Sequence, residues 1–544
     1  NLHIKPLYVS PASGRADIND QPEKEAAMKR IRHFKTIGLW GLLLAGLCVA
    51  GITAPAQAEI KELKIGIGVD ADTLNPQEQT TTLIQNMCDL IYDTLFFQKP
   101  DGTLVPRLAT GYDVSDDGLT WTLHLREGVT FSDGSAFNAE VMKQTFDRIL
   151  NPDLRVPLRF AVSMVKECTI VDDYTVALHL KFPFAPLADA LSMTLNSPIS
   201  PKALEEYGED VRQHPVGAGP YVLEEWVKGD RIVMVRNEDY FGKKPTVKKI
   251  IWKVVPEVST REAMLRSGQI DICYKPSPAN VSGLKADPNV TVDMPLDTRT
   301  IFMGLNCQKG VTQDKLVRQA FNYAVDKEAI VEKVLFGTAV PMDAPVSPIV
   351  FGHKTMDKQY DYDPDKAKAL LDKAGFDYDT VVSMRTPNGR YLFDKQVSQA
   401  VQAYLQAIGV KVELRTYDWP TYVAGLLKPL EESELEVFLL GWGPLFLDAD
   451  MGLYGQFTCE VNPPKGLGSA FYCNPEYDEL MKRSRMELDN EKRKELLVEA
   501  SRMVWDDCPW IWLHVEKFVI AYNQDIKDLV VTPTEKFYPT YISK

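Results

Sequence analysis

The chain has 544 residues, 45% hydrophobic and 25% charged, with 61 basic against 75 acidic side chains and a net charge of −14. That is ample apolar material for sizeable cores, so a disordered chain is excluded. The acidic balance, with no dense Lys/Arg block beyond the N-terminus, excludes a nucleic-acid binder. The absence of repeated apolar runs of about 20 residues excludes a polytopic membrane protein.

Lys29, Arg30, Arg32 and Lys35 form a basic cluster, followed by the uncharged apolar run Ile37 to Ile52, Pro55 and the small-residue triplet Ala56-Gln57-Ala58. A basic region, an apolar region and an A-x-A site describe a cleaved secretory signal peptide over 28–58, and therefore a periplasmic protein. Met28 marks the expected start, with 1–27 an upstream extension. Cys48 follows Leu47, which is too large for a lipoprotein signal, so a soluble exported protein is expected.

Beyond the leader, Glu62 to Val69 reads as a strand and Thr82 to Leu95 as a helix with Leu83, Met87, Leu90 and Ile91 on one face. Trp121, Leu123 and Leu125 alternate with Thr120, Thr122 and His124, which predicts a half-buried strand. Asp133-Gly134 marks a turn, and Asn138 caps a helix running to Leu150. Tyr174 to Leu180 repeats the alternation, and Gly217-Ala218-Gly219-Pro220 punctuates the chain. After about residue 300 strands alternate with helices: a strand at Thr300 to Leu305, helices at Lys315 to Leu335, Asp365 to Ala374, Lys395 to Ile408 and Glu491 to Val504, and a strand at Val410 to Leu414. The mixture predicts an α/β protein.

Catalytic and cofactor motifs are lacking. Gly66-x-Gly68-x-x-Ala71 nominally fits a dinucleotide fingerprint, but Asn75-Pro76 stands where the helix should begin. There is no P-loop, no H-E-x-x-H and no G-x-S-x-G, and no two of the seven histidines are spaced as metal ligands. No cofactor, no metal and no enzymatic activity are expected. A secreted hydrolase remains the alternative of a different class, since a spatial Ser/His/Asp set leaves no mark in sequence. Cys459 and Cys473 enclose a Pro- and Gly-rich segment, and this is the expected disulfide of an exported chain.

Several stretches together resemble the extracytoplasmic solute-binding proteins of family 5, the peptide/nickel class that serves ABC importers. The most specific runs from Gly118 to Gly134 and on through Ala136 to Glu140. Others are Pro215 to Tyr221, Arg236 to Gly242, Val317 to Lys327 and Tyr362 to Ala367. The resemblance spans the mature chain. It implies a two-lobed periplasmic-binding-protein fold of type II, the large class with an extra β-rich subdomain. Lobe I would hold 59–304, with 98–214 as the subdomain, lobe II would hold 305–509, and 510–544 would return to lobe I. It also implies a monomer that closes on a small peptide and docks on permease subunits in the inner membrane.

The resemblance further suggests ligand residues. Peptide binders of this family carry a Gly-Trp motif before a ligand-facing loop, which here is Gly441-Trp442 followed by Asp448 and Asp450. Dipeptide binders place an ammonium-holding aspartate three residues past the tryptophan, where this chain has Leu445; later aspartates resemble glutathione-binding relatives. Arg385 and Arg390 flank Thr386-Pro387-Asn388-Gly389, where relatives hold a ligand carboxylate, and guanidinium suits that task. Thr81 lies where relatives bring a loop to the cleft. Within the family, an oligosaccharide or metal-chelate ligand is the alternative; Trp419 and Trp442 could stack on sugars, whereas Trp510 and Trp512 are expected in the core.

Overall fold

The computed structural model describes residues 59–544 apart from Thr80; the expected leader and upstream extension lie outside the described residues. Two large sheets organise the chain. The seven-stranded sheet runs, in spatial order, Val290–Asp293, Ile520–Asn523, Ile272–Tyr274, Leu63–Ile67, Lys249–Val254, Arg231–Arg236 and Tyr221–Val227. Leu63–Ile67 is parallel to both its neighbours, and Leu63, Ile65 and Ile67 are fully buried. No helix follows it directly: Thr82–Tyr92 is the next helix, so the nominal dinucleotide motif lacks its phosphate-facing helix.

The six-stranded sheet runs Ala339–Pro341, Trp510–Lys517, Leu296–Leu305, Val437–Trp442, Val381–Pro387 and Lys411–Tyr417. Its core includes Trp510, stacked on Phe302 with ring centroids 3.3 Å apart, and Trp512, stacked on Trp505 at 4.7 Å. A separate four-stranded antiparallel sheet (Ala109–Val114, Thr120–Leu125, Thr175–Leu180, Val165–Asp172) has its own core, to which the helix Ala139–Leu150 contributes Met142 and Phe146. The Asn138 side chain caps that helix, accepting from the Val141 amide.

The chain passes from the first large sheet to the second between Asp293 and Leu296, and back between Lys517 and Ile520. The two crossings lie side by side: Leu296 pairs with Lys517, and the Phe518 amide donates to the Pro295 carbonyl at 2.9 Å. Leu296–Leu305 and Trp510–Lys517 are antiparallel partners, and their pairing holds both within the six-stranded sheet.

The expected helix over Lys315 to Leu335 ends early, at Ala324. Asp326 accepts from the Ala329 amide and starts a new helical turn, so a capping residue inside an apolar pattern divides it. Cys459 and Cys473 are disulfide-bonded.

Candidate functional site

Strand directions bring one set of loops to one edge of the six-stranded sheet. Val381–Pro387 and Val437–Trp442 are parallel, so the segments after Pro387 and Trp442 leave on the same side. Leu296–Leu305 is antiparallel to Val437–Trp442, with Thr300 opposite Trp442, so Asp297 and Arg299 lie at that side too. The crossings between the two large sheets also begin there. Loops at the carboxyl ends of parallel strands, beside a change of sheet, are where α/β folds place ligands.

Arg390 stands in the first of these loops. It is exposed, its guanidinium carbon is 5.0 Å from the ring centroids of both Tyr391 and Trp419, and it has no ion-pair partner among the described residues. Two aromatic faces orient the cation without neutralising it. The loop itself is fixed by the buried Asp394 carboxylate, which accepts from the amides of Gly389 (3.1 Å), Arg390 (2.8 Å), Tyr391 (3.2 Å) and Lys395 (2.8 Å). The Tyr391 hydroxyl donates to the Gly441 carbonyl at 3.2 Å, tying this loop to the tryptophan strand.

Trp442 is partly buried between the cores of the six-stranded and four-stranded sheets, and its indole N–H donates to the Met451 carbonyl at 3.1 Å. Phe446 and Met451, beyond it, belong to the core of the four-stranded sheet, so the 443–451 segment bridges the two units.

The two aspartates expected to face a ligand are otherwise engaged. Asp448 forms a bidentate pair with Arg493 (2.6 and 2.7 Å), each side chain only 3% exposed, and also accepts from the Asp450 amide. Asp450 is paired bidentately with Arg485 at 2.8 and 3.0 Å. Their carboxylates are committed to joining the loop to the helices Asn490–Asp507 and Pro475–Met486. Arg385 is likewise spent: it donates to Glu434 at 2.7 Å and lies 5.4 Å from the Tyr417 ring centroid, whereas Arg390 projects from the loop beyond. Thr81 is exposed at the N-cap of Thr82–Tyr92 and makes no side-chain cap bond.

Sequence reasoning missed a charged cluster beside the crossings. Arg299 Nε is 3.3 Å from Glu535 and 3.5 Å from Glu516, and Lys275 Nζ is 3.0 Å from the other Glu535 oxygen. Burial would raise the Glu535 pKa, but Lys275 and Arg299 overcome it and hold the carboxyl well below the usual range. Burial, then the Glu535 charge, raise Asp297, and burial raises Glu516. The signal available in sequence was Glu516 on a strand that opens with the apolar run Trp510 to Leu513; its partners lie far along the chain.

The 443–451 segment is also held from the side of the four-stranded sheet. The Leu447 amide donates to Gln98 Oε1 at 3.2 Å, and Gln98 Nε2 donates to Asp189 Oδ1 at 2.6 Å. Burial, then the Asp448 charge, push the Asp189 carboxyl up to about 7. Among the described residues, no cluster of His, Cys, Asp and Glu is arranged to hold a metal ion, and no helix is long and apolar enough to cross a membrane.

Comparison with known proteins accords with this architecture. Residues 103–463 match the family model described as bacterial extracellular solute-binding proteins, family 5 middle. The glutathione-binding protein GsiB of Salmonella typhimurium is 32% identical over 499 residues, which is 91% of this chain and 97% of that protein. GsiB of Pectobacterium atrosepticum is 30% identical over 498 residues, 91% and 96% of the two chains. Among solved structures, the periplasmic binding protein DppA of Helicobacter pylori, in complex with the peptide STSA, superposes with a TM-score of 0.75 at 26% identity, covering 88% of this chain and 98% of that one. NikA of Brucella suis, in complex with Fe(III)-EDTA, has a TM-score of 0.80 at 24% identity, covering 89% and 99%, and shares the two-lobed fold.

Proposed function

Since the chain belongs to family 5 of the bacterial extracellular solute-binding proteins, we propose that it is the periplasmic binding subunit of an ABC importer and captures small peptides, including glutathione-like ones. It performs no chemistry in this reading. The seven-stranded sheet organises lobe I and the six-stranded sheet lobe II, and the paired crossings at 293–296 and 517–520 are the hinge. A ligand that touches both lobes favours the closed form by its differential affinity for it. The closed protein then presents both lobes to the membrane permease. Residues 28–58 serve as a cleaved export signal in this reading.

One observation carries the ligand class: Arg390 is an uncommitted guanidinium on a rigid loop at the cleft. Arginine so held suits a carboxylate, which it can grip with two parallel hydrogen bonds. Trp442, locked by Met451, offers a flat wall for the peptide backbone. Asp448 and Asp450 are withdrawn from the ammonium-holding role by their arginines.

The test is ligand-induced stabilisation of the exported chain. At a hundredfold excess over its Kd, a true ligand stabilises by about 2.7 kcal/mol. Glutathione and a panel of di- and tripeptides are expected to include one that does this and that co-purifies with the native protein. Arg390→Met should destabilise the ligand-free protein by no more than ~1–2 kcal/mol, the loss of its two exposed cation–π contacts with Tyr391 and Trp419. It should weaken the peptide about a hundredfold, the loss of a charge pair worth ~3 kcal/mol. Stabilisation by an oligosaccharide or metal chelate alone, with no peptide active, would overturn the reading.

A further inference from the structure

The loop that carries Arg390 runs across the end of the six-stranded sheet. The Asn388 amide donates to the Tyr417 carbonyl at 3.0 Å, and the Tyr391 hydroxyl reaches Gly441. The Leu392 amide is turned to the Glu516 carboxylate, and Phe393 meets Phe336 with ring centroids 6.1 Å apart. These partners belong, in spatial order, to Lys411–Tyr417, Val437–Trp442, Trp510–Lys517 and the turn before Ala339–Pro341. Phe336 is therefore on the same edge of the sheet as Arg390. The register agrees: Ala339 lies opposite Glu516, next to the end of the strand from which the chain crosses to the other sheet.

Two features set the aromatic pair apart. Both residues have positive φ, 52° at Phe336 and 50° at Phe393, a left-handed conformation that bulky side chains resist. Phe336 is also 52% exposed. Its surroundings hold it out in the open: the Gly337 amide donates to the Val331 carbonyl at 3.0 Å, and Lys517 donates through its amide to the Thr338 carbonyl and through Nζ to the Gly337 carbonyl, both at 2.9 Å. A ring displayed on an unfavourable backbone gains the fold little beyond its contact with Phe393, and outliers of this kind gather at ligand clamps. Arg390 and Phe393 are three residues apart on one fixed loop, so their Cα atoms lie within about 10 Å. A peptide whose carboxylate is gripped by Arg390 brings its last side chain to that distance.

We infer that Phe336 and Phe393 form an apolar wall for the C-terminal side chain of the bound peptide, so that the protein favours peptides ending in a large apolar residue. The inference rests on the peptide-binding reading and on Arg390 as the carboxylate anchor. A polar side chain of similar size would give up its water against two hydrocarbon rings. Glutathione, which ends in glycine, would leave the wall uncovered.

The experiment measures, by calorimetry on the exported chain, the affinities of two tripeptide series, Ala-Ala-X and γ-Glu-Cys-X, with X as Gly, Gln, Leu or Phe. In the series that binds, Leu and Phe should be favoured over Gly and Gln about tenfold, as expected for a side chain half covered by the wall. Phe336→Asn should hold or raise the ligand-free melting temperature, because asparagine accepts positive φ. The same variant should bring Leu and Phe to within about threefold of Gly and leave the affinity for the glycine peptide unchanged. If the wild type binds no member of either series, the peptide reading falls and takes the wall with it. If it binds peptides of either series but all X within about threefold, or if folded Phe336→Asn keeps its preference for Leu over Gly, the wall is refuted and the peptide reading stands. A marked fall in the melting temperature of Phe336→Asn would make Phe336 a structural residue and likewise overturn the inference.

Discussion

The pair Asp448–Arg493 gives the sharpest quantitative prediction, because it decides between a structural and a ligand-binding aspartate. Both side chains are 3% exposed and are joined by two hydrogen bonds of 2.6 and 2.7 Å. Removing one partner leaves the other charge buried, at a cost of about 3–5 kcal/mol. Arg493→Met also strips the Ser484 carbonyl of a donor at 3.0 Å, worth ~1 kcal/mol more. Asp448→Asn and Arg493→Met should therefore each destabilise by about 3–5 kcal/mol, while the double variant should lose much less than their sum. Urea unfolding of the four proteins at pH 7 gives the coupling energy, and peptide titration gives the affinity of each. If Asp448→Asn changed stability by less than ~0.5 kcal/mol yet cost more than tenfold in peptide affinity, the carboxylate would belong to the ligand and the reasoning would fail.

Two further predictions concern other links. Asp189 has a folded-state pKa near 7 against 3.8 for the free carboxyl, so between those values the folded chain holds a proton that the unfolded chain has released. Stability should fall as pH rises from about 4 to 7, by roughly 2 kcal/mol once the partial exposure of Asp189 is discounted against ~1.4 kcal/mol per unit. Asp189→Asn, which keeps the Gln98 bond, should flatten that part of the pH–stability curve and be more stable at pH 8. Gly219 packs on the end of the helix Thr82–Tyr92, its amide donating to the Ile91 carbonyl at 2.8 Å, and a Cβ there would sit 2.5 Å from the Leu90 carbonyl oxygen. Gly219→Ala should cost about 3 kcal/mol in urea unfolding, while Gly111→Ala, with nothing within 4 Å, should stay within ~0.5 kcal/mol.

Local patterns were legible in the sequence. The alternation over Thr120–Leu125 buries Trp121, Leu123 and Leu125, as a period of two requires. The Asn138 cap and the breaking of Lys315 to Leu335 at Asp326 follow the same chemistry, read correctly at the first position and overlooked at the second. What the sequence concealed is pairing at a distance. Asp448 and Asp450 read as ligand candidates because the arginines that consume them come 45 and 35 residues later. Arg385 and Arg390 were indistinguishable by chemistry; only the strand end between them sends one to Glu434 and leaves the other without an ion-pair partner among the described residues. The cluster of Lys275, Arg299, Glu516 and Glu535 is assembled by the two crossings, and no local periodicity announces it.

The position of Ile520–Asn523 bears on how the chain reaches its native state. This strand does not lie at the sheet's edge but between Ile272–Tyr274 and Val290–Asp293, pairing with both. Until it arrives, the seven-stranded sheet has an open slot and two unpaired strand faces. The ends of the described chain meet on one residue: the Ile60 amide donates to the Thr246 carbonyl, and the Thr246 amide to the Thr540 carbonyl, both at 2.9 Å. A chain emerging N-terminus first from a ribosome or a translocation pore cannot complete its first lobe until nearly the last residue is out. Closing contacts so distant in sequence slows folding, since the loop must be ordered before the pairing rewards it. The topology thereby leaves the seven-stranded sheet open until the end of the chain is available, and makes the final C-terminal stretch the step that completes it.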